Sequence, residues 1–151
     1  MVVGFISTSI GANTFTISEV QGRPGEEVMV SVSLDNSDDV VVAELQIPLD
    51  DQLIYDDGSC VLNADRTDGH QVTAGVKNGI LNIVVFTMDL KPLKGNVGEL
   101  LTFKLNLKKE PKTYPLTGVS LVADAQGNQF ESSVTSGSVT ILSPKINIVK
   151  P

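Results

Sequence analysis

Tryptophan is absent from this chain, cysteine and histidine occur once each, and aromatic residues make up only 5% of it. Each shortage excludes something. The single Cys60 cannot close an intramolecular disulfide and says nothing about the redox compartment. One Cys and one His cannot build a Cys/His metal cluster within one chain. Two Tyr and five Phe, several of them needed for a core, make a poor supply for a flat sugar-stacking platform. Basic residues are also short: 11 Lys and Arg face 18 Asp and Glu, a formal charge of −7. Nucleic acid and anionic lipid both require basic patches, so neither is an expected partner. No apolar run is long enough to span a bilayer.

Catalytic patterns are missing too. No Gly-x-Ser-x-Gly occurs, and His70 has no Ser or Cys partner in a recognisable nucleophile setting. Nothing singles out two of the 18 acids as a glycosidase pair. The sequence therefore predicts neither an enzyme nor a bound cofactor. The stretch "LNADRTDGH", residues 62–70, has almost the spacing of a calcium loop in Asn63, Asp65, Thr67 and Asp68. Counting from Asn63, however, position 6 is Asp68 rather than Gly, and position 12 is Ala74 rather than Glu. A solvated inter-strand loop held by local Asx bonds is the expected reading, with no metal.

What is present is alternation. The 151 residues suit one domain, and the 41% that are hydrophobic are rich in Val, Leu and Ile. "VMVSVSL" places Val28, Val30, Val32 and Leu34 on one side. "VVVAELQIPL" sends Val41, Ala43, Leu45, Ile47 and Leu49 inward and Val42, Glu44, Gln46 and Pro48 outward. Asn78-Gly79 between two β-rich runs predicts a two-residue hairpin. Its second arm turns Leu81, Ile83 and Val85 inward, Asn82, Val84 and Phe86 outward. "GELLTFKLNL" adds Leu101, Phe103, Leu105 and Leu107 to the core, and further strands are expected over 14–20, 117–124 and 136–142. No stretch has a helical period. Eight or nine short strands imply an all-β antiparallel sandwich or jelly roll.

The order of these segments resembles that of cohesin domains. "FTISEVQGRPGEEVMVSVSLDN" is similar to the family's opening strand, Gly-rich turn and second strand. "VVAELQIPLDDQLIYDDGS" resembles its third strand and the short segment after it, and "GELLTFKLNLK", "YPLTGVSLVADAQGN" and "SGSVTI" resemble the remainder. The likeness runs over residues 14–142 and extends to cohesin-like modules of Bacteroidetes-type surface proteins. It implies a nine-stranded jelly roll that holds a dockerin-like protein on one flat face, built from the third, fifth, sixth and eighth strands. The contact residues would be Val42, Glu44 and Gln46, with Thr73, Asn82, Val84, Phe86 and Ser120. Type I cohesins carry an Asn-x-Asp pair on the third strand; here Glu44 stands in for the Asp and Val42 replaces the Asn.

The expected organisation follows. Residues 1–12 read as the remnant of a signal peptide or a disordered start, 13–143 as the sandwich, and 144–151 as a linker or the start of a following module. The expected role is a monomeric, non-catalytic interaction module of a secreted or cell-surface protein. A carbohydrate-binding module with a polysaccharide partner and a structural spacer are the competing readings.

Overall fold

The computed structural model describes residues 13–144. The expectations placed on residues 1–12 and on 145–151 lie outside the described residues. Within them the chain forms fourteen strand segments and no helix. They are β1 (Asn13–Ile17), β2 (Glu19–Gly22), β3 (Glu27–Asp35), β4 (Val42–Pro48), β5 (Leu53–Tyr55), β6 (Val61–Leu62) and β7 (Gln71–Lys77). They continue as β8 (Ile80–Phe86), β9 (Glu99–Leu107), β10 (Lys112–Leu116), β11 (Val119–Ala123), β12 (Gln129–Phe130), β13 (Ser132–Thr135) and β14 (Gly137–Ile141).

Sheet I has the order β13-β1-β3-β9-β5, with β6 also on β9; sheet II has the order β12-β11-β4-β8-β7. A third sheet, β10-β14-β2, joins them through chain continuity. β2 continues β1 of sheet I after Ser18, β14 continues β13, and β10 leads through Thr117-Gly118 into β11 of sheet II. Strands that switch sheets at a bend in this way are how a β-sandwich makes its corners. Such breaks also explain why fourteen segments are seen where nine strands are expected. Pairing is antiparallel throughout except for β1–β13 and β2–β14, where the first and last runs lie side by side and parallel.

The period-two pattern has the consequence expected of it. Val30, Val32, Leu34, Leu45, Ile47, Leu81, Ile83, Leu101, Phe103 and Leu105 are all essentially inaccessible to solvent. They interdigitate between the sheets, where Tyr55 and Phe103 meet edge to face at 6.3 Å. Burial of this apolar surface is the main favourable term for the fold. The Asn78-Gly79 turn joins β7 to β8 with φ of 53° and 75°, the paired positive values that match the strand twist in a two-residue hairpin. Pro48 ends β4, where its missing N–H costs no ladder bond.

Candidate interaction face

Strands β11, β4, β8 and β7 lie side by side in sheet II, so the four strands expected to share a face do share one. Their register arranges the outer residues in rows. One row runs Gly75–Asn82–Gln46–Val119, the next Thr73–Val84–Glu44–Leu121. Beyond these, Gln71 pairs with Phe86 and Ala123 with Val42, and at the hairpin end Ile80 pairs with Pro48. Val42, Glu44, Gln46, Thr73, Asn82, Val84 and Phe86 therefore all stand on the outer side, as their alternation predicts.

Ser120 does not. It pairs with the buried Leu45, so it occupies the core-facing side of β11, and its hydroxyl bonds that of Ser132 at 2.7 Å. The outer positions of β11 belong instead to Val119, which is 69% exposed, and Leu121. β11 carries aliphatic residues on both of its sides, so polarity alone selects Ser120 as the outward residue. Only the pairing with β4 shows the reverse, and no local signal distinguishes the two sets.

The centre of the face is thus aliphatic, Val84 and Leu121 flanking Glu44, with Val42, Phe86, Val119 and Ile80 around them. Gln46, Asn82, Thr73 and Gln71 supply the polar margin. Asn82 turns its amide back to the Ile80 carbonyl at 3.0 Å. The outer side of sheet I is chemically different. Thr14 and Thr16, Ser31 and Ser33, Thr102 and Lys104, and Ser133 and Thr135 make up most of it, with Met29, Ile54 and Val61 exposed among them. An apolar centre with a polar margin is the anatomy of a protein-recognition surface.

The 62–70 loop uses its polar groups internally. Asn63 accepts the Asp65 N–H at 3.0 Å and donates to the Glu99 carbonyl at 2.8 Å, while the Thr67 hydroxyl donates to the Asn63 carbonyl. Arg66, missed by the sequence reading, is the loop's anchor and is only 4% exposed. Its guanidinium donates to the carbonyls of Lys94, Leu34 and Gly98 at 2.7–2.9 Å and to the Asn36 side chain. Desolvation lowers its pKa, while the charge of Asp35 acts the other way. His70 accepts the Asp68 N–H through Nδ1, and burial holds its pKa below the ordinary histidine value. Among the described residues no group of three or more His, Cys, Asp or Glu converges on a metal-sized site. Burial pushes the Cys60 thiol up to about 11, which leaves little thiolate at neutral pH.

Comparison with known proteins bears on this arrangement. A family model described as "Cohesin domain" matches residues 13–141. Cellulose-binding protein A of Clostridium cellulovorans is 28% identical over 147 residues; these cover 91% of this chain but only 8% of that protein. A non-cellulosomal cohesin from the hyperthermophilic archaeon Archaeoglobus fulgidus superposes with a TM-score of 0.72 at 17% identity, covering 87% of this chain and 92% of the other. A chain from a type I cohesin–dockerin complex of Clostridium thermocellum superposes at 0.71 with 19% identity, covering 87% and 99%. At these identities the likeness to solved structures speaks to the fold.

Proposed function

Since this chain belongs to the cohesin domain family, we propose that it is a non-catalytic module that holds a dockerin-like protein on the outer face of sheet II. The observation that carries the reading is the chemical asymmetry of the two outer faces. One is mainly hydroxyl-bearing, with Met29, Ile54 and Val61 on it; the other gathers Val84, Leu121, Val42 and Phe86 around a single carboxylate, Glu44. Glu44 takes part in neither ion pair formed among the described residues, so its charge is available to a donor on the partner. With Val42 where type I cohesins carry Asn, the contact depends more on apolar burial and less on hydrogen bonding. The matched cohesin–dockerin complex supplies the class of partner.

The same family membership supports a place outside the cell. The small share of the Clostridium relative that the chain spans is consistent with residues 13–143 being one module of a longer, multi-domain surface protein. The Bacteroidetes-type setting belongs to this reading as well, on the resemblance of segment order. A polysaccharide partner finds less support. Tyr55, Tyr114, Phe15 and Phe103 are buried and Phe86 and Phe130 are partly so, which leaves no open aromatic plane among the described residues.

The test is affinity capture from an extract of the source organism, with residues 13–143 as bait, with and without chelator. Recovery of a protein with paired calcium loops, lost on chelation, supports the proposal; recovery of glycan, or of nothing, overturns it. The double variant Glu44→Arg, Val84→Asp is expected to weaken that partner at least ~100-fold with an unchanged melting temperature, since both side chains are outside the core. Undiminished binding by calorimetry places the contact elsewhere.

A further inference from the structure

Away from the outer face of sheet II, the flank of the sandwich is open. Among the described residues β5 ends sheet I and β7 ends sheet II, and the two edges border one cleft. Its volume is about 350 Å³, within the range of roughly 300–1,000 Å³ typical of ligand sites. Its apolar surface comes from Leu49 with Ile54 of β5 and Val76 of β7. The last two are 43% and 46% exposed, although they lie in regular strands. Its rim is acidic on every side that carries charge: Asp50, Asp51 and Asp57. The ion pairs formed among the described residues, Lys91–Asp68 and Lys104–Glu27, leave all three carboxylates without a cation. Tyr55, whose ring packs inward against Phe103, also borders the cleft.

We infer that this cleft is a second binding site, and that it takes an extended peptide segment carrying lysine or arginine between aliphatic residues. Three features select that occupant. Edge strands offer unpaired main-chain N–H and C=O groups, and an extended peptide pairs with such an edge. Successive side chains of the added strand point to opposite sides. One set therefore covers Ile54 and Val76 while the other reaches the rim. The carboxylates decide the charge of that second set. A sugar lacks an aromatic plane to stack on here, and the three carboxylates do not converge as metal ligands do. The site is separate from the outer face of sheet II, and holds whether or not that face binds a dockerin.

The experiment uses the full chain and a fluorescein-labelled, capped Val-Lys-Val-Lys-Val peptide, followed by anisotropy and by amide chemical shifts. The expected result is saturable binding with shifts at Ile54 and Val76. Affinity should fall at least tenfold in the Asp50→Asn, Asp51→Asn variant, and the peptide with Glu in place of Lys should not bind. Asn at position 50 keeps the acceptor that holds the Gln52 N–H at 3.0 Å, so the loop is preserved and only the charge is lost. The Glu44→Arg, Val84→Asp variant should bind the peptide unchanged, which separates this site from the dockerin face. Absence of saturation, indifference to the Asp substitutions, equal binding of the Glu peptide, or shifts confined to the outer face of sheet II would each overturn the inference.

Discussion

Gly137 opens β14 where the chain crosses from sheet I to the third sheet, and the crossing leaves no room for a side chain. A Cβ there would lie 2.2 Å from the Ser18 carbonyl oxygen and 2.4 Å from that of Ile17. Both obstacles are backbone and cannot rotate away. Gly137→Ala should therefore cost at least ~3 kcal/mol, read as a lower urea midpoint at unchanged slope. Arg66 is the second residue on which the fold depends. Arg66→Leu removes the donor from the carbonyls of Lys94, Leu34 and Gly98 and from Asn36. Unsatisfied buried acceptors carry a desolvation penalty, so a loss of ~3 kcal/mol is expected in the same assay. Neither residue announces itself in the sequence. Gly137 falls inside a run expected to be a plain strand, and an arginine in "NADRTDG" reads as one more solvated charge. What makes both indispensable is the approach of backbone from distant parts of the chain.

At the scale of the element, the β11–β12 hairpin shows a local device. Its turn is tied by Asp124, whose carboxylate accepts the Asn128 and Gln126 N–H groups at 2.8 and 2.9 Å and the Asn128 amide at 3.1 Å. Desolvation raises the Asp124 pKa, but these hydrogen bonds outweigh it and the net shift is downward. A carboxyl whose pKa is lowered by folding contributes stability that is fully present above its unfolded pKa of ~3.9 and is lost as pH falls through the folded value. Protection of the Asn128 amide against hydrogen exchange should hold at neutral pH and decline below about pH 4. In Asp124→Ala it should be low at every pH. Persistence of protection in that variant would mean that the backbone bonds alone hold the turn. A turn of this kind was legible at Asn78-Gly79, which reads as a hairpin. The short strands β5, β6, β10, β12 and β13 were not. Two to five residues leave little room to display an alternation; β5 and β6 lie on the longer β9, β12 on β11 and β13 on β1.

For the whole molecule, the first and last runs of the sandwich are neighbours: β1 pairs with β13 and β2 with β14. The Leu142 N–H reaches the Gly22 carbonyl at 2.8 Å, and Arg23 donates to the Ser143 carbonyl at 2.7 Å. Closure of this kind is expected to make residues 13–143 a self-sufficient cooperative unit. A chain of those residues should unfold in one transition, with a midpoint within ~3 °C of that of residues 1–151. A broad or markedly lower transition would show that the flanking residues contribute to the core. The face proposed for the dockerin is also a whole-molecule property. Seven of its eight expected residues stand on the outer side because alternation along β4, β7 and β8 is enforced by burial of the opposite set. The eighth, Ser120, failed because β11 is apolar on both sides and its orientation is decided by register.

By itself, then, the sequence determined the all-β class, the inward set of each long strand, the hairpin turn and the family. A two-residue period and a turn dipeptide act over a few residues and leave their mark in the order of side chains. The tertiary structure alone decided which side of β11 faces out, where strands change sheets, which oxygens surround Arg66, and that the edges of β5 and β7 border one cleft. Each of these depends on groups from separate segments meeting in space. Such meetings are selected by the joint packing of both sheets and leave no periodic trace along the chain.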